Sequence, residues 1–286
     1  MGGHNRRRDG SAAAPKFSLA QLDAVRFLER LDSGSVDLII TDPPYESLEK
    51  HRSVGTTTRL KHSKASSNDW FEIFPNARFG ELFAQVHRVL KKDSHFYLFC
   101  DQERALVAKH IAEEHGFKLW KPLIWDKMKI GMGYHYRARY EMILFFEKGK
   151  RRLNDLSIPD IISVPRIHRG YPTEKPVAVS EVLVTQSTQP DELVVDPFCG
   201  SGSVGVAAVS QGCAFVGNDI CDEAIRVSRE RLSQTGAPEL PQAEVTPMRA
   251  GFADEPALRQ APRQLSFDVA AGFAATAAAL ASSDGR

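Results

Sequence analysis

The 286 residues carry 37 Lys and Arg against 36 Asp and Glu, a formal net charge of +1, so no global field draws the chain to nucleic acid and any such surface has to be local. Hydrophobic residues at 42% and charged residues at 26% are ordinary for a soluble globular protein, and the length allows one large α/β domain or two small ones. No apolar run is long enough for a membrane span, and the basic start Met1 to Arg8 lacks the apolar stretch of a signal peptide, so the expected location is cytoplasmic with no membrane partner.

Residues 1–15 read as a disordered basic tail. A short strand is expected at 16–21, then a helix from Asp23 with Ala24, Phe27, Leu28 and Leu31 at helical spacing and Gly34 just past its end. The β-rich run 36–41 follows as a buried strand and delivers Asp42-Pro43-Pro44-Tyr45. The prolines lack N–H groups and fix φ, so the backbone stiffens where the strand leaves the sheet. Asp42 and the Pro43 carbonyl remain as acceptors beside the flat ring of Tyr45. Such a set suits a planar ring bearing an amino group; a rigid turn with a half-buried core tyrosine fits the tetrapeptide equally well.

Residues 46–70 are polar and without period, a length of loop that is usually functional or disordered. Helices are expected at 76–91 and 103–115, and strands at 94–100, 117–125 and 140–147. The basic cluster Lys148, Lys150, Arg151 and Arg152 opens an irregular region to about Tyr171. A helix at 176–185, a strand at 192–196, a helix at 203–211, a strand at 213–219 and a helix at 222–234 complete the pattern. Residues 236–286, rich in Pro, Ala and Gln, read as a flexible appendage with an Ala-rich helix. Strands alternating with helices predict a parallel-dominated sheet with helices on both faces, with ligands at the carboxyl ends of the strands.

Asp196-Pro197-Phe198-Cys199-Gly200-Ser201-Gly202 joins one of those strands to a helix. It lacks the lysine of a phosphate loop and the third glycine of a dinucleotide fold, and Asp196 repels phosphate while attracting a cation. The next strand ends in Asp219, at the place of an acid that accepts from ribose hydroxyls. These residues call for a nucleoside with a positive or zwitterionic group and no phosphate, which describes S-adenosylmethionine. The four cysteines (Cys100, Cys199, Cys213 and Cys221) follow no metal spacing and read as reduced thiols, and no metal is expected.

Thr-Asp-Pro-Pro-Tyr first and Asp-Pro-Phe-Cys-Gly-Ser-Gly far downstream resembles the permuted, beta-type amino-methyltransferases of DNA, which methylate adenine N6 or cytosine N4. The resemblance covers roughly 17–235, expected to be the catalytic domain (16–235), and implies a Rossmann-like methyltransferase fold with a mixed, mostly parallel sheet and circularly permuted motifs. It implies S-adenosylmethionine as cofactor and double-stranded DNA as partner, with the Asp at the head of the motif leaning to adenine N6. Cytosine N4 methylation and an inactive DNA-binding relative are the alternatives. Family members often dimerise and many belong to restriction–modification pairs.

Carried onto this chain, the resemblance gives Asp42, Pro43, Pro44 and Tyr45 as catalytic residues. It gives Asp23, Asp42, Thr173, Lys175, Asp196, Phe198, Gly200, Ser201, Gly202 and Asp219 to the cofactor, with Asp23 towards its adenine and Thr173 and Lys175 towards its methionine carboxylate. The segments 46–70 and 148–171 are candidate recognition loops. Between 121 and 152 nine Lys/Arg outnumber three Asp/Glu, which attracts phosphates. The expected DNA contacts are Lys61, Lys64, Tyr134, Arg137, Arg139, Lys150, Arg151 and Arg152.

Overall fold

The structure, a computed structural model, describes residues 14–44, 73–131, 136–167 and 174–249. The chain divides into Met1–Glu255 and Pro256–Arg286, and all described residues belong to the first unit. Eight strands form one sheet: β1 (Phe17–Ala20), β2 (Val36–Thr41), β3 (Leu90–Cys100), β4 (Lys118–Asp126), β5 (Tyr140–Lys148), β6 (Ile161–Ser163), β7 (Leu193–Asp196) and β8 (Ala214–Asn218). All six residues of β2 are buried, as a strand covered on both faces requires.

The strand order is β1-β8-β7-β2-β3-β5-β4-β6. Only β5 runs against its neighbours; the other pairings are parallel. The chain leaves β2 towards β3 on one side and β7 towards β8 on the other, so the order reverses between β2 and β7. That gap is the topological switch point at which open α/β sheets bind ligands.

Helices α1 (Ala24–Arg30), α2 (Phe79–Val89) and α3 (Gln102–Glu114) bury Phe27, Leu28, Phe79, Phe83 and Ala108 against one face of the sheet. Helices α4 (Val177–Ser187), α5 (Ser203–Ser210) and α6 (Asp222–Ser233) bury Val179, Leu183, Val204, Ala207 and Leu232 against the other. Cys100, Cys199 and Cys213 are buried free thiols in this packing, and Cys221 is partly exposed. The predicted elements therefore stand, with small shifts: the helix expected at 76–91 starts as a 3-10 turn at Asn76–Arg78, and β3 begins at Leu90.

Two expectations need correction. The reading of 236–286 as a flexible appendage fails at its near end, because 237–249 pack back on the sheet. Phe17 N donates to Pro238 O at 3.1 Å, Leu240 N donates to Phe17 O at 2.8 Å, and the one-turn helix α7 (Gln242–Val245) follows. β1 is an edge strand, and its free backbone groups take whatever chain is next to them. The irregular stretch 148–171 also contains β6, which pairs with β4 and forms the far edge. The basic tail up to residue 13, the loop 45–72, the segment 168–173 and residues 250–286 lie outside the described residues, so the expected Ala-rich helix does too.

Candidate active site

The rim at the carboxyl ends of the strands is lined with acids. Asp42 follows β2, Asp101 follows β3, Asp126 ends β4, Glu141 stands at the start of the reversed β5, Asp196 ends β7 and Asp219 follows β8. The two motif loops meet there: Thr41 Oγ1 donates to Asp196 Oδ1 at 2.9 Å, so the carboxyl ends of β2 and β7 are tied by a side chain as well as by backbone pairing. Asp196 also accepts from Phe198 N at 3.0 Å. Burial pushes its carboxyl up to about 8, and the neighbouring Asp42 and Asp219 push the same way, against the bonds from Phe198 and Thr41. A buried acid that holds its proton at neutral pH is poised to ionise when a cation arrives.

The Asp-Pro-Pro segment is held from below by Arg104. This guanidinium is buried in the first turn of α3, itself capped by Asp101 accepting from Arg104 N at 2.7 Å. It donates to Pro43 O at 2.6 Å, Pro44 O at 3.0 Å, Phe74 O at 2.8 Å and Asn76 Oδ1 at 3.1 Å, with its face 4.9 Å from the Phe79 ring centroid. Pro44 O accepts from Phe74 N as well, at 3.3 Å. A carbonyl has two lone pairs, so the Pro43 oxygen, expected to receive a substrate hydrogen, already spends one on Arg104. Asp42 is thereby the principal acceptor of the pair.

Asp42 meets Lys175, whose ammonium donates to its Oδ2. The same Nζ lies 3.3 Å from Glu141 Oε2, and Glu141 Oε1 takes Lys127 Nζ at 2.5 Å. Burial works against the charge on Lys175, but Asp42 and Glu141 outweigh it and hold the ammonium well above the ordinary lysine value. Burial likewise works to raise Glu141, and Lys175 with Lys127 more than offsets it, so its carboxyl stays low and charged. Lys175 was expected on a cofactor carboxylate; here two carboxylates of the chain share it.

The glycine loop turns at Gly200 (φ +50°) and Gly202 (φ +77°), backbone that favours glycine. A Cβ on Gly202 would lie 2.9 Å from Ser228 Oγ and 3.2 Å from its Cα, whereas one on Gly200 would meet nothing within 4 Å among the described residues. Asp219 receives Gly200 N at 3.0 Å and Cys221 N at 2.9 Å, and burial raises its carboxyl. Arg231 of α6 braces the loop through Ser201 O (2.7 Å) and Ser201 Oγ (2.9 Å) and reaches Glu174 at 3.0 Å. Ser203 Oγ donates to Lys175 O at 2.7 Å, which ties the segment before α4 to the same loop.

Asp23 is brought to this rim by Asn218, which donates to Leu22 O (3.0 Å) and Pro197 O (3.1 Å) and accepts from Leu22 N (3.0 Å). Its carboxylate caps α1 by accepting from Val25 N and Arg26 N, and takes Arg78 through both nitrogens at 2.7 and 3.0 Å. Burial alone would raise it, but the bonds from Arg78 and Arg26 hold it below the usual carboxylate range. Phe198 packs edge-on against Phe74, 5.1 Å between centroids.

The expected DNA contacts divide by rim. Arg137 is exposed and Arg139 grips Asp126 through two bonds of 2.7 Å, both beside the carboxyl-end rim. Lys150, Arg151 and Arg152 are separated from that site. β5 runs antiparallel, so its exit at Lys148 pairs with Ser94 near the start of β3, on the opposite rim. There Arg151 pairs with Glu192 at 2.7 Å and Lys148 donates to His87 O and Leu90 O at 2.6 Å each, at the C-terminus of α2. Tyr45, Lys61, Lys64, Tyr134 and Thr173 lie outside the described residues.

Arg104, Glu141 and Arg231 carry the site's architecture, and sequence reading passed over all three. An arginine inside a polar helix reads as a solvated face, and Glu141 reads as an ordinary strand start. Only an excess of acids over obvious partners around the two motifs could have suggested that such cations exist.

Comparison with known proteins gives a consistent picture. A family described as DNA methylase, the N6/N4 group, matches residues 36–230. The sequence is 27% identical over 250 residues to the DNA adenine methyltransferase YhdJ of Escherichia coli K12, covering 73% of this chain and 80% of that protein. It is 24% identical over 238 residues to the type II methyltransferase M.HpaI of Haemophilus parainfluenzae, covering 73% and 72%. Among solved structures, the M1.HpyAVI–SAM complex superposes with a TM-score of 0.56 at 21% identity, over 76% of this chain and all of that one. The cytosine-N4-specific PvuII DNA methyltransferase gives 0.60 at 17% identity, over 76% and 86%.

Proposed function

This chain belongs to the N6/N4 group of DNA methylases, and from that premise we propose that it transfers a methyl group from S-adenosylmethionine to the N6 amino group of an adenine turned out of duplex DNA. The observation that carries the reading is the bond between Thr41 and Asp196, which joins the acceptor loop and the glycine loop at one switch point. The cofactor fits the residues present. No described residue crowds Gly200, which leaves its backbone open to a ligand, Asp219 retains acceptor capacity for a ribose, and the buried Asp196 suits a positive charge but not a phosphate. Phe198 and Asp23 are assigned to the cofactor in this reading, with Ser201 and Gly202 shaping the turn. Lys175 has three N–H donors, of which Asp42 takes one and Glu141 faces a second at 3.3 Å, leaving a third for the α-carboxylate.

When bound, S-adenosylmethionine supplies an electrophilic methyl carbon on a sulfonium. The chain's residues do the rest. The base has to leave the stack to be reached, and Tyr45 stacks on its face. Asp42 accepts an amino hydrogen, which draws the nitrogen lone pair out of conjugation with the ring and fixes its direction. Pro43 O gives a second, weaker acceptor. As the amino nitrogen takes the methyl carbon, whose bond to sulfur breaks to leave a neutral thioether, the nitrogen becomes acidic and its proton passes to the Asp42 carboxylate. Arg104 keeps both acceptors still, so that little reorganisation is needed at the moment of reaction.

Two observations bear on the neighbouring reading, cytosine N4. The PvuII enzyme shares the fold, whereas the acid at the head of Asp42-Pro43-Pro44 and the adenine-specific relative favour N6. Digestion of DNA treated with the full chain and labelled cofactor separates them: label in N6-methyladenine is expected, and label in N4-methylcytosine would overturn the choice of base. A homodimer bound to DNA belongs to the same reading, supported by exposed Leu106, Trp120 and Ile161. Light scattering showing twice the chain mass is expected; a single-chain mass would contradict it.

A further inference from the structure

We propose that Glu141 is a positioning residue for this reaction: it offers the Lys175 ammonium a second seat, so that Asp42 can be released to the incoming amino group. The inference rests on the methyl-transfer reading and goes beyond it. A substrate amino group and a lysine ammonium ask the same thing of a carboxylate, since both are N–H donors. In the structure Lys175 holds Asp42 Oδ2, one of the two oxygens able to take the amino hydrogen. Something has to take Lys175 over when the base enters, because a buried ammonium without an anion is costly.

Glu141 has the geometry for it. Its Oε2 lies 3.3 Å from Lys175 Nζ, is buried, and receives no hydrogen bond, while Oε1 is already committed to Lys127. The oxygen facing Lys175 is therefore an acceptor with capacity in reserve. A shift of the ammonium by a fraction of an ångström would convert a long contact into a bond and loosen the lysine's hold on Asp42 Oδ2. Lys175 and Lys127 together hold Glu141 charged against its burial, Lys127 anchors its Oε1, and the Phe99 ring, 5.4 Å from Lys175 Nζ, flanks the path on the apolar side. Among the described residues nothing comparable serves Lys91 on Asp37 at the other rim, where both aspartate oxygens accept from the same lysine at 2.8 Å.

The test is a double-mutant cycle in the full chain, with single-turnover methyl transfer to DNA and equilibrium binding of S-adenosylmethionine measured in parallel. Glu141→Gln keeps the shape but removes the charge. It should slow transfer by about ten- to a hundredfold, the usual cost of a misplaced reacting group, while cofactor affinity stays within about threefold of wild type. In a Lys175→Met background, which removes the ammonium that the two carboxylates share, the same substitution should have little further effect, because coupled residues lose additivity. Glu141→Asp, which keeps the charge on a shorter arm, should fall between the two and carries the same cycle if Glu141→Gln does not fold. A wild-type rate in Glu141→Gln, or an undiminished loss in the Lys175→Met background, would overturn the assignment. Absence of transfer by the wild-type chain would overturn the methyl-transfer reading instead.

Discussion

Lys91 on Asp37 and Lys175 on Asp42 are the same kind of contact at opposite ends of the same strand, and they differ in what else the aspartate does. Asp37 is buried at the amino end of β2, with both oxygens on Lys91 and one also accepting from Leu193 N at 2.9 Å. It staples three neighbouring segments, and both of its oxygens are engaged. Asp42 is partly open, at the carboxyl end, and its lysine is shared with a second carboxylate. The amino-end rim carries further closed networks: His95 Nδ1 and Tyr97 OH both meet Ser187 Oγ at 2.8 Å, and burial drives His95 down to about 4. Charge is spent on stability at one rim and kept available at the other.

Asp42→Ala should break the comparison hardest. Loss of the principal acceptor is expected to lower single-turnover transfer by at least about a thousandfold, with cofactor affinity nearly unchanged; equal loss of both would make Asp42 as structural as Asp37. Arg104→Met comes next. It strips buried carbonyls of a charged donor, so transfer should fall by about a hundredfold, and urea titration should show stability lower by about 2–4 kcal/mol. Arg104→Lys, which cannot reach several carbonyls at once, should recover only part of either.

Asp196 sharpens the electrostatic side. Its raised value means that the folded, empty site holds a proton up to about 8, whereas an unfolded chain releases it near 4. The group therefore binds more protons folded than unfolded across that window, and its contribution to stability falls as pH rises through it. A cationic ligand favours the ionised form, so cofactor affinity should rise with pH up to about 8 and then level. Calorimetry in buffers of different ionisation enthalpy should detect proton release on binding at pH 7. Asp196→Asn should flatten the profile and weaken binding by about tenfold; an unchanged profile would assign the proton elsewhere.

Smaller effects separate the two rims as surfaces. Arg137→Ala should weaken DNA binding a few-fold and reduce the salt slope by about 1, as for a lost phosphate contact. Lys150→Ala and Arg152→Ala, on the far rim, should leave both unchanged. Asp37→Asn should be the mildest for catalysis: stability lower by about 1–2 kcal/mol, with the transfer rate of the folded fraction unaltered.

Much of this was legible before any coordinates. A strand such as Val36–Thr41, covered on both faces, shows itself as an unbroken apolar run, and Gly200 and Gly202 declare a turn that a side chain would strain. What escaped was information carried by direction and by long-range partners. β5 reads as a strand in either direction, and its reversal alone sends Lys150 to Arg152 away from the site. Arg104 finds carbonyls about sixty residues away in sequence, a pairing without local pattern. Residues 237–249 look like a low-complexity tail, yet 238–240 lie on β1, an edge strand that accepts a neighbour, and 247–249 bond to Arg30 and Asp32 at the end of α1.

The most direct measurement of the central claim is a crystal structure of the full chain with S-adenosylmethionine and DNA carrying its target adenine. The account predicts the sulfonium methyl above Gly200 and the adenine N6 within about 3–3.5 Å of it, with Asp42 accepting an N6 hydrogen. A methyl group pointing away from Asp42, or a base seated at the opposite rim, would contradict it.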